Sequence, residues 1–262
     1  MFDSHCHLHD ARVRDPAGEL ARAKAAGVRG VLLAGVDPDG WRREEELARA
    51  LGGIAISYGV HPQRIAELDD RDAGEMVAAL ARALDDPARV RAVAVGEIGL
   101  DGAKERRGSL ARQERAFRDQ LALARAHALP IVLHILDAHG RALELLRRDG
   151  LPGAGGVVHS YSGSSELARD YLALGLYLSF AGPVGNPAAK RTREAARRTP
   201  RERLLVETDA PFQTPGAHRP QQNEPAFLVA NVAALAQIRG ESPDELAAFT
   251  EENARRLFGI VE

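Results

Sequence analysis

Along the chain, short apolar and β-branched runs alternate with longer stretches in which apolar residues recur three and four apart. The short runs predict strands at Phe2 to His7, Val28 to Val36, Ile54 to Val60, Val93 to Ile98, Ile131 to Ile135, Val157 to His159, Leu176 to Phe180 and Leu204 to Thr208. The longer stretches include ELARAKAAG, WRREEELARAL, GEMVAALARAL, RQERAFRDQLALARAHAL and AHGRALELLRRDG. They consist of good helix formers, and Gly27, Gly52, Pro130, Gly150 and Gly175 supply stops between them and the next strand. Strand and helix alternate eight times over 262 residues. That is roughly 33 residues per unit, the size of a βα pair in a (β/α)₈ TIM barrel. A doubly wound sheet shows the same alternation, so the position of the chemistry has to decide between them. No linker, low-complexity tract or internal repeat interrupts the pattern, and residues 1–262 read as a single α/β barrel domain.

The ionisable residues fall at one end of the strands. In the first strand His5 and His7 share a parity, which points both imidazoles to one face roughly 7 Å apart along the chain. Cys6 points the other way and reads as a small buried apolar residue rather than a ligand. His9 has the same parity as His5 and His7 but falls where the strand has ended, and reads as rim. The run AVAVGEIGLD carries Glu97 at the end of its strand, in apolar surroundings where an unpaired carboxylate is costly. PIVLHI ends in His134, GGVVHS in His159, and LLVETDAP in Glu207, Thr208 and Asp209. The third strand runs into His61-Pro62. A lone histidine at a strand end is ordinarily a rim or interior residue. Five strands ending in His, Glu or Asp at the end where barrel enzymes hold their sites instead predict a shared metal centre. His61, just past its strand, reads as a residue that orients substrate or a group behind the ligands rather than as a ligand, and His127 as a helix-surface residue.

Composition narrows the setting. Net charge is −2, so no overall basic field advertises a nucleic-acid partner. The run from Lys190 to Arg203 is basic but reads as a solvated helix face. A single cysteine excludes an internal disulfide and fits a reducing compartment. No apolar run approaches the roughly 20 residues of a membrane helix, and the first residues lack the apolar core of a signal peptide. A cytoplasmic protein with no membrane association and no obligate protein partner is the expectation.

The ordered set HCHLH, YGVHP, VGEIGLD, RQERAFRDQLALARAHALPIVLH, HSYSGSSELARDYLALGLYLSFAG, VETDAPF and EENARRLFG resembles the TatD family of metal-dependent deoxyribonucleases. The similarity runs in order from Met1 to the carboxyl end of the chain. It implies a (β/α)₈ barrel of the amidohydrolase-like group, a divalent-metal site, and hydrolysis of phosphodiester bonds in DNA, in several members from a 3′ end. Carried over by position, one ion would be held by His5, His7 and Asp209, with Glu97 bridging to a second held by His134 and His159. The strand pattern selects the same six residues. Departures lie in loops: Leu136 stands where many members have Arg, Ser160-Tyr161-Ser162 where many have Cys-Phe-Thr, and Arg219-Pro220-Gln221-Gln222 where many have Arg-Gly-Lys.

Mixed nitrogen and oxygen ligation suits two ions of Zn²⁺, Mn²⁺, Co²⁺ or Ni²⁺ better than Mg²⁺, although a nuclease of this family could still work with Mg²⁺. Asp209 and Glu97 are the expected catalytic carboxylates, Asp209 as the group that takes a proton from water and later returns it to the leaving group. Expected substrate contacts are His61, Tyr161, Phe212, Arg219 and Asn223, with DNA or oligonucleotide ends as substrate. The alternative is a metal-dependent hydrolase of small-molecule amides, lactones or phosphoesters, since the same water activation serves all of them.

Overall fold

The computed structural model describes residues 1–260. Eight parallel strands appear in chain order around one sheet: β1 (Phe2–Cys6), β2 (Gly30–Leu33), β3 (Ile54–Tyr58), β4 (Ala94–Asp101), β5 (Ile131–Leu136), β6 (Gly156–Val158), β7 (Tyr177–Phe180) and β8 (Leu204–Val206). Each pairs with the next. The ring closes where the chain leaves β8, because the Asp209 N–H donates to the His5 carbonyl (2.9 Å) and the His7 N–H to the Ala210 carbonyl (2.7 Å). This is a (β/α)₈ TIM barrel, and the doubly wound alternative is excluded.

Among the described residues ten α-helices run between and after the strands: α1 (Pro16–Ala25), α2 (Pro38–Ala50), α3 (Pro62–Glu67), α4 (Asp70–Asp85), α5 (Leu110–Ala126), α6 (His139–Asp149), α7 (Ser165–Ala173), α8 (Lys190–Arg198), α9 (Leu228–Arg239) and α10 (Pro243–Phe258). Several start where sequence chemistry puts a start. Asp15 and Asp37 each precede a Pro and accept a backbone bond from the third residue on, which satisfies an otherwise orphaned helix N–H. Among the described residues no helix is long and apolar enough to cross a membrane.

Two apolar layers hold the barrel. Outside, Leu33, Ile56, Tyr58, Leu133 and Phe180 pack with helix residues such as Trp41, Leu80, Phe117 and Leu145, and Cys6 belongs to this layer. Inside, Phe2, Leu32, Ala94, Val132, Val157 and Leu205 fill the lumen, and Ala254, Leu257 and Phe258 of α10 close its amino-terminal end. Charged groups are therefore left the opposite, carboxyl-terminal mouth.

Simple alternation breaks in two strands, and both breaks bear on function. Ser4 faces the lumen, since its Oγ meets that of Ser179 across the barrel at 2.9 Å. His5, the next residue, also faces the lumen, stacking on His159 with ring centroids 4.0 Å apart. The register of β1 against β2 shifts between Asp3 and Cys6, a bulge that turns His5 inward. In β4 the register against β5 shifts between Val95 and Ile98. Ala94 and Glu97 thus both point inward although an odd number of steps separates them. Just before this point β3 and β4 come close: a Cβ at Gly59 would lie 2.4 Å from the Gly96 carbonyl carbon, so the approach requires glycine. Strand β4 also runs on to Asp101, which places Glu97 mid-strand rather than at the strand end expected from the sequence.

Candidate metal centre and cleft

Glu97 is the hub of the mouth. Its Oε1 lies 2.7 Å from both His134 Nδ1 and His159 Nε2, and its Oε2 lies 3.3 Å from His5 Nε2 and 3.6 Å from His7 Nε2. Asp209 Oδ1 lies 3.3 Å from His7 Nε2 and 3.8 Å from His5 Nε2. All but His134 of these six residues are buried. Burial would raise the Glu97 carboxyl, but the imidazoles of His159, His61 and His5 outweigh it and hold the group well below the usual carboxylate range. Burial opposes ionisation of Asp209 too, and the bond to His7 with the charges of His5 and His159 again prevails.

These donors fit a cation. His5 Nε2 faces His7 Nε2 at 3.2 Å, and His134 Nδ1 faces His159 Nε2 at the same distance, so ring nitrogens converge on one another and on carboxylate oxygens. Three sets of donor atoms, each within 4.8 Å of one another, arise here: His5 with His7 and Glu97, His5 with His159 and Asp209, and His61 with Glu97 and His134. Mixed imidazole and carboxylate donation of this kind suits late first-row divalent ions.

His61 stands behind the centre, one of the two roles its position suggested, with Nε2 3.0 Å from Glu97 Oε1. Its Nδ1 accepts the Gln63 backbone N–H at the start of α3, and burial holds its pKa down to about 4. In the neutral ring the proton must then lie on Nε2, which donates it to Glu97. His61 therefore orients the carboxylate.

Behind the imidazoles stand carboxylates that sequence reasoning did not assign. Asp101 Oδ2 lies 3.8 Å from His134 Nε2 and accepts from Gln63, while Arg106 lies 3.2 Å away. Glu207 Oε1 lies 3.4 Å from His159 Nδ1 and accepts the Ser160 backbone N–H at 2.6 Å. Asp3 accepts from the Thr208 backbone and hydroxyl and so ties β1 to the segment carrying Asp209. Carboxylates behind metal-binding histidines fix ring orientation and tautomer. Their sequence signal was an acid four residues after Glu97, two before Asp209 and two before His5, visible only once the ligand positions are known.

A cavity of about 630 Å³ opens above the centre. Its walls include His9, Arg43, His61, Leu136, Ser160, Tyr161, Phe212 and Gln213. His9 is no open rim residue: it is buried, with Nδ1 3.2 Å from Glu44 Oε1. Phe212 is 38% exposed, with its ring edge-on to His7 and the Arg12 guanidinium 4.7 Å above it. Tyr161 reaches the cavity with little surface; its hydroxyl bonds the Ser164 carbonyl and its ring packs on Phe180 and Tyr171. Two residues expected at the substrate are not brought there. Asn223 is fully buried, its amide spent on the carbonyls of Thr208 and Phe212, and it braces the loop after β8. Arg219 lies outside the cavity lining, with its Nε donating to the Thr214 carbonyl.

Buried imidazoles and carboxylates converging at the carboxyl mouth of a (β/α)₈ barrel mark the site of a metal-dependent hydrolase. Residues 2–259 match the family model described as TatD related DNase, and the chain belongs to that family. It is 34% identical over 261 residues to the uncharacterized metal-dependent hydrolase YabD of Bacillus subtilis, covering 99% of each chain. It is 38% identical over 269 residues to the 3′-5′ ssDNA/RNA exonuclease TatD of Klebsiella pneumoniae, covering 99% of this chain and 98% of the other. The crystal structure of the TatD homolog YJJV from Escherichia coli superposes with a TM-score of 0.88 at 32% identity, covering 100% and 98% of the two chains.

Proposed function

We propose that this protein is a nuclease that removes nucleotides from the 3′ end of single-stranded nucleic acid, with two divalent ions as cofactors. His5, His7 and Asp209 would hold one ion, His134 and His159 the other, and Glu97 both. The observation that carries this reading is the position of Glu97: one oxygen faces the His134 and His159 nitrogens, the other faces His5 and His7. A bridging carboxylate needs that disposition. The 3′-5′ exonuclease name of the relative from Klebsiella pneumoniae supports the choice of substrate.

Bound ions would lower the pKa of a water and neutralise charge on phosphoryl oxygens. The chain's own groups do the rest. Asp209, held ionised, accepts the proton of the attacking water and returns it to the departing sugar oxygen. His61 keeps Glu97 oriented through its Nε2–H. Phe212 offers an exposed ring on which a terminal base stacks, and the Arg12 guanidinium beside it meets the backbone.

The test is digestion of 3′-blocked and 5′-blocked oligonucleotides by metal-reconstituted protein, read by fragment length, beside a nitrophenyl phosphodiester and a panel of lactones and cyclic amides. Stepwise shortening of the 5′-blocked strand alone is expected. Turnover confined to lactones or amides overturns the nuclease reading.

A further inference from the structure

Between Asp209 and Ser160 lies a side chain that the reaction as derived does not use. The Gln213 amide nitrogen donates to Asp209 Oδ2 at 2.5 Å. The same nitrogen lies 2.7 Å from Ser160 Oγ, and the Gln213 amide oxygen lies 3.0 Å from that hydroxyl. A carboxylate accepts and cannot donate, so the amide must present its nitrogen, and its orientation is thereby settled. Asp209 consequently has two unlike oxygens. Oδ1 faces His5 and His7, and Oδ2 is taken by the amide.

Ser160 is itself held from the other side of the centre. Its backbone N–H donates to Glu207 Oε1, the oxygen that stands 3.4 Å from His159 Nδ1. One continuous chain of contacts thus runs from the imidazole at the end of β6 to the carboxylate after β8: His159, Glu207, Ser160, Gln213, Asp209. Ser160, Asp209 and Gln213 all have left-handed backbones, with φ of 45°, 57° and 54°. That conformation is costly for non-glycine residues and persists where surrounding contacts enforce it. Both Ser160 and Gln213 line the cavity, so the link crosses the wall of the site.

We propose that Gln213, braced by Ser160, is a positioning residue for Asp209: it holds Oδ2 and thereby keeps Oδ1 turned to the metal donors. This rests on the reading of Asp209 as ligand and proton acceptor. The brace acts on geometry, so it affects turnover and ion binding rather than capture of the nucleic acid.

The test uses Gln213→Met, which keeps length and removes the donor, and Ser160→Ala. Zn²⁺ affinity is measured by competition with a chelator, steady-state kinetics on an oligonucleotide and on a nitrophenyl phosphodiester, and melting temperature on metal-free protein. Gln213→Met is expected to lower kcat and Zn²⁺ affinity about tenfold each, as loss of a ligand's supporting hydrogen bond does. KM stays within about twofold, because uniform binding is untouched. Ser160→Ala moves both quantities the same way by less, and the double variant is no worse than Gln213→Met, since Ser160 acts through Gln213. Gln213→Leu, another apolar side chain without a donor, repeats the loss if the Met variant folds poorly. Unchanged kcat and Zn²⁺ affinity in Gln213→Met overturn the brace, as does a loss matched by a fall in metal-free melting temperature. If the parent protein cleaves no phosphodiester, the nuclease reading fails, and the Zn²⁺ affinities still decide the brace.

Discussion

Glu97 Oε2 lies 3.3 Å from His5 Nε2, so a carboxylate of β4 meets an imidazole of β1 across the barrel mouth. Every other candidate ligand except Asp209 also lies within reach of this carboxylate. On the proposed two-ion reading, Glu97→Ala is therefore expected to empty both metal positions and lower activity at least about a hundredfold. In the parent protein, Zn²⁺ at a hundred times its Kd adds about 2.7 kcal/mol of stability, which is about 5–10 °C in Tm. That rise should be absent in Glu97→Ala. Metal analysis and thermal melting with and without EDTA check both statements; two ions retained by the variant would remove Glu97 as the bridge.

Asp209→Asn keeps the size and one oxygen of the side chain while removing its capacity to take a proton. Activity is expected to fall at least about a hundredfold, the usual scale of acid–base help, with part of the metal retained. Single-turnover kinetics beside metal content separate the two effects. Near-normal turnover would take Asp209 out of proton transfer.

Phe212 is the most exposed aromatic surface over the centre. Phe212→Ala is expected to raise KM for an oligonucleotide about tenfold, the cost of losing one base–aromatic stack. KM for a nitrophenyl phosphodiester should change far less. Equal effects on both substrates would show that the ring shapes the site instead of stacking a base.

Far from the mouth, Glu251 of α10 meets Arg29 at 2.6 Å and Arg255 at 3.0 Å. Partial burial would raise its carboxyl, yet Arg29, the amino-terminal ammonium of Met1 and Arg255 bring the pKa down to about 2. A depressed carboxyl contributes stability that is fully present above the unfolded value of 4.5 and is lost as pH falls through about 2. Arg29 is largely exposed, so solvent screening reduces the contribution to about 1 kcal/mol. Glu251→Gln should be less stable than the parent at pH 7 in urea, and the difference should shrink as pH falls from 4.5 through about 2. A constant difference across that range would contradict the assignment.

The amino-acid sequence by itself determined the eight strand–helix repeats and the residue types at the strand ends, because hydrophobic period and capping chemistry are local. His5 and His7 share a face as their spacing requires, and Cys6 turns to the outer core. The observed strands agree with the expected ones to within three residues at each end. What the sequence could not show is how strands are rotated about their own axes. Alternation continued from Ser4 would turn His5 away from the lumen, and continued from Ala94 it would turn Glu97 away; a register shift in each strand reverses both. The carboxylates behind the imidazoles, the amide of Gln213 on Asp209, and the withdrawal of Asn223 into the loop core were likewise decided only by tertiary structure. Each depends on distances between segments remote in the chain, which ring closure alone sets.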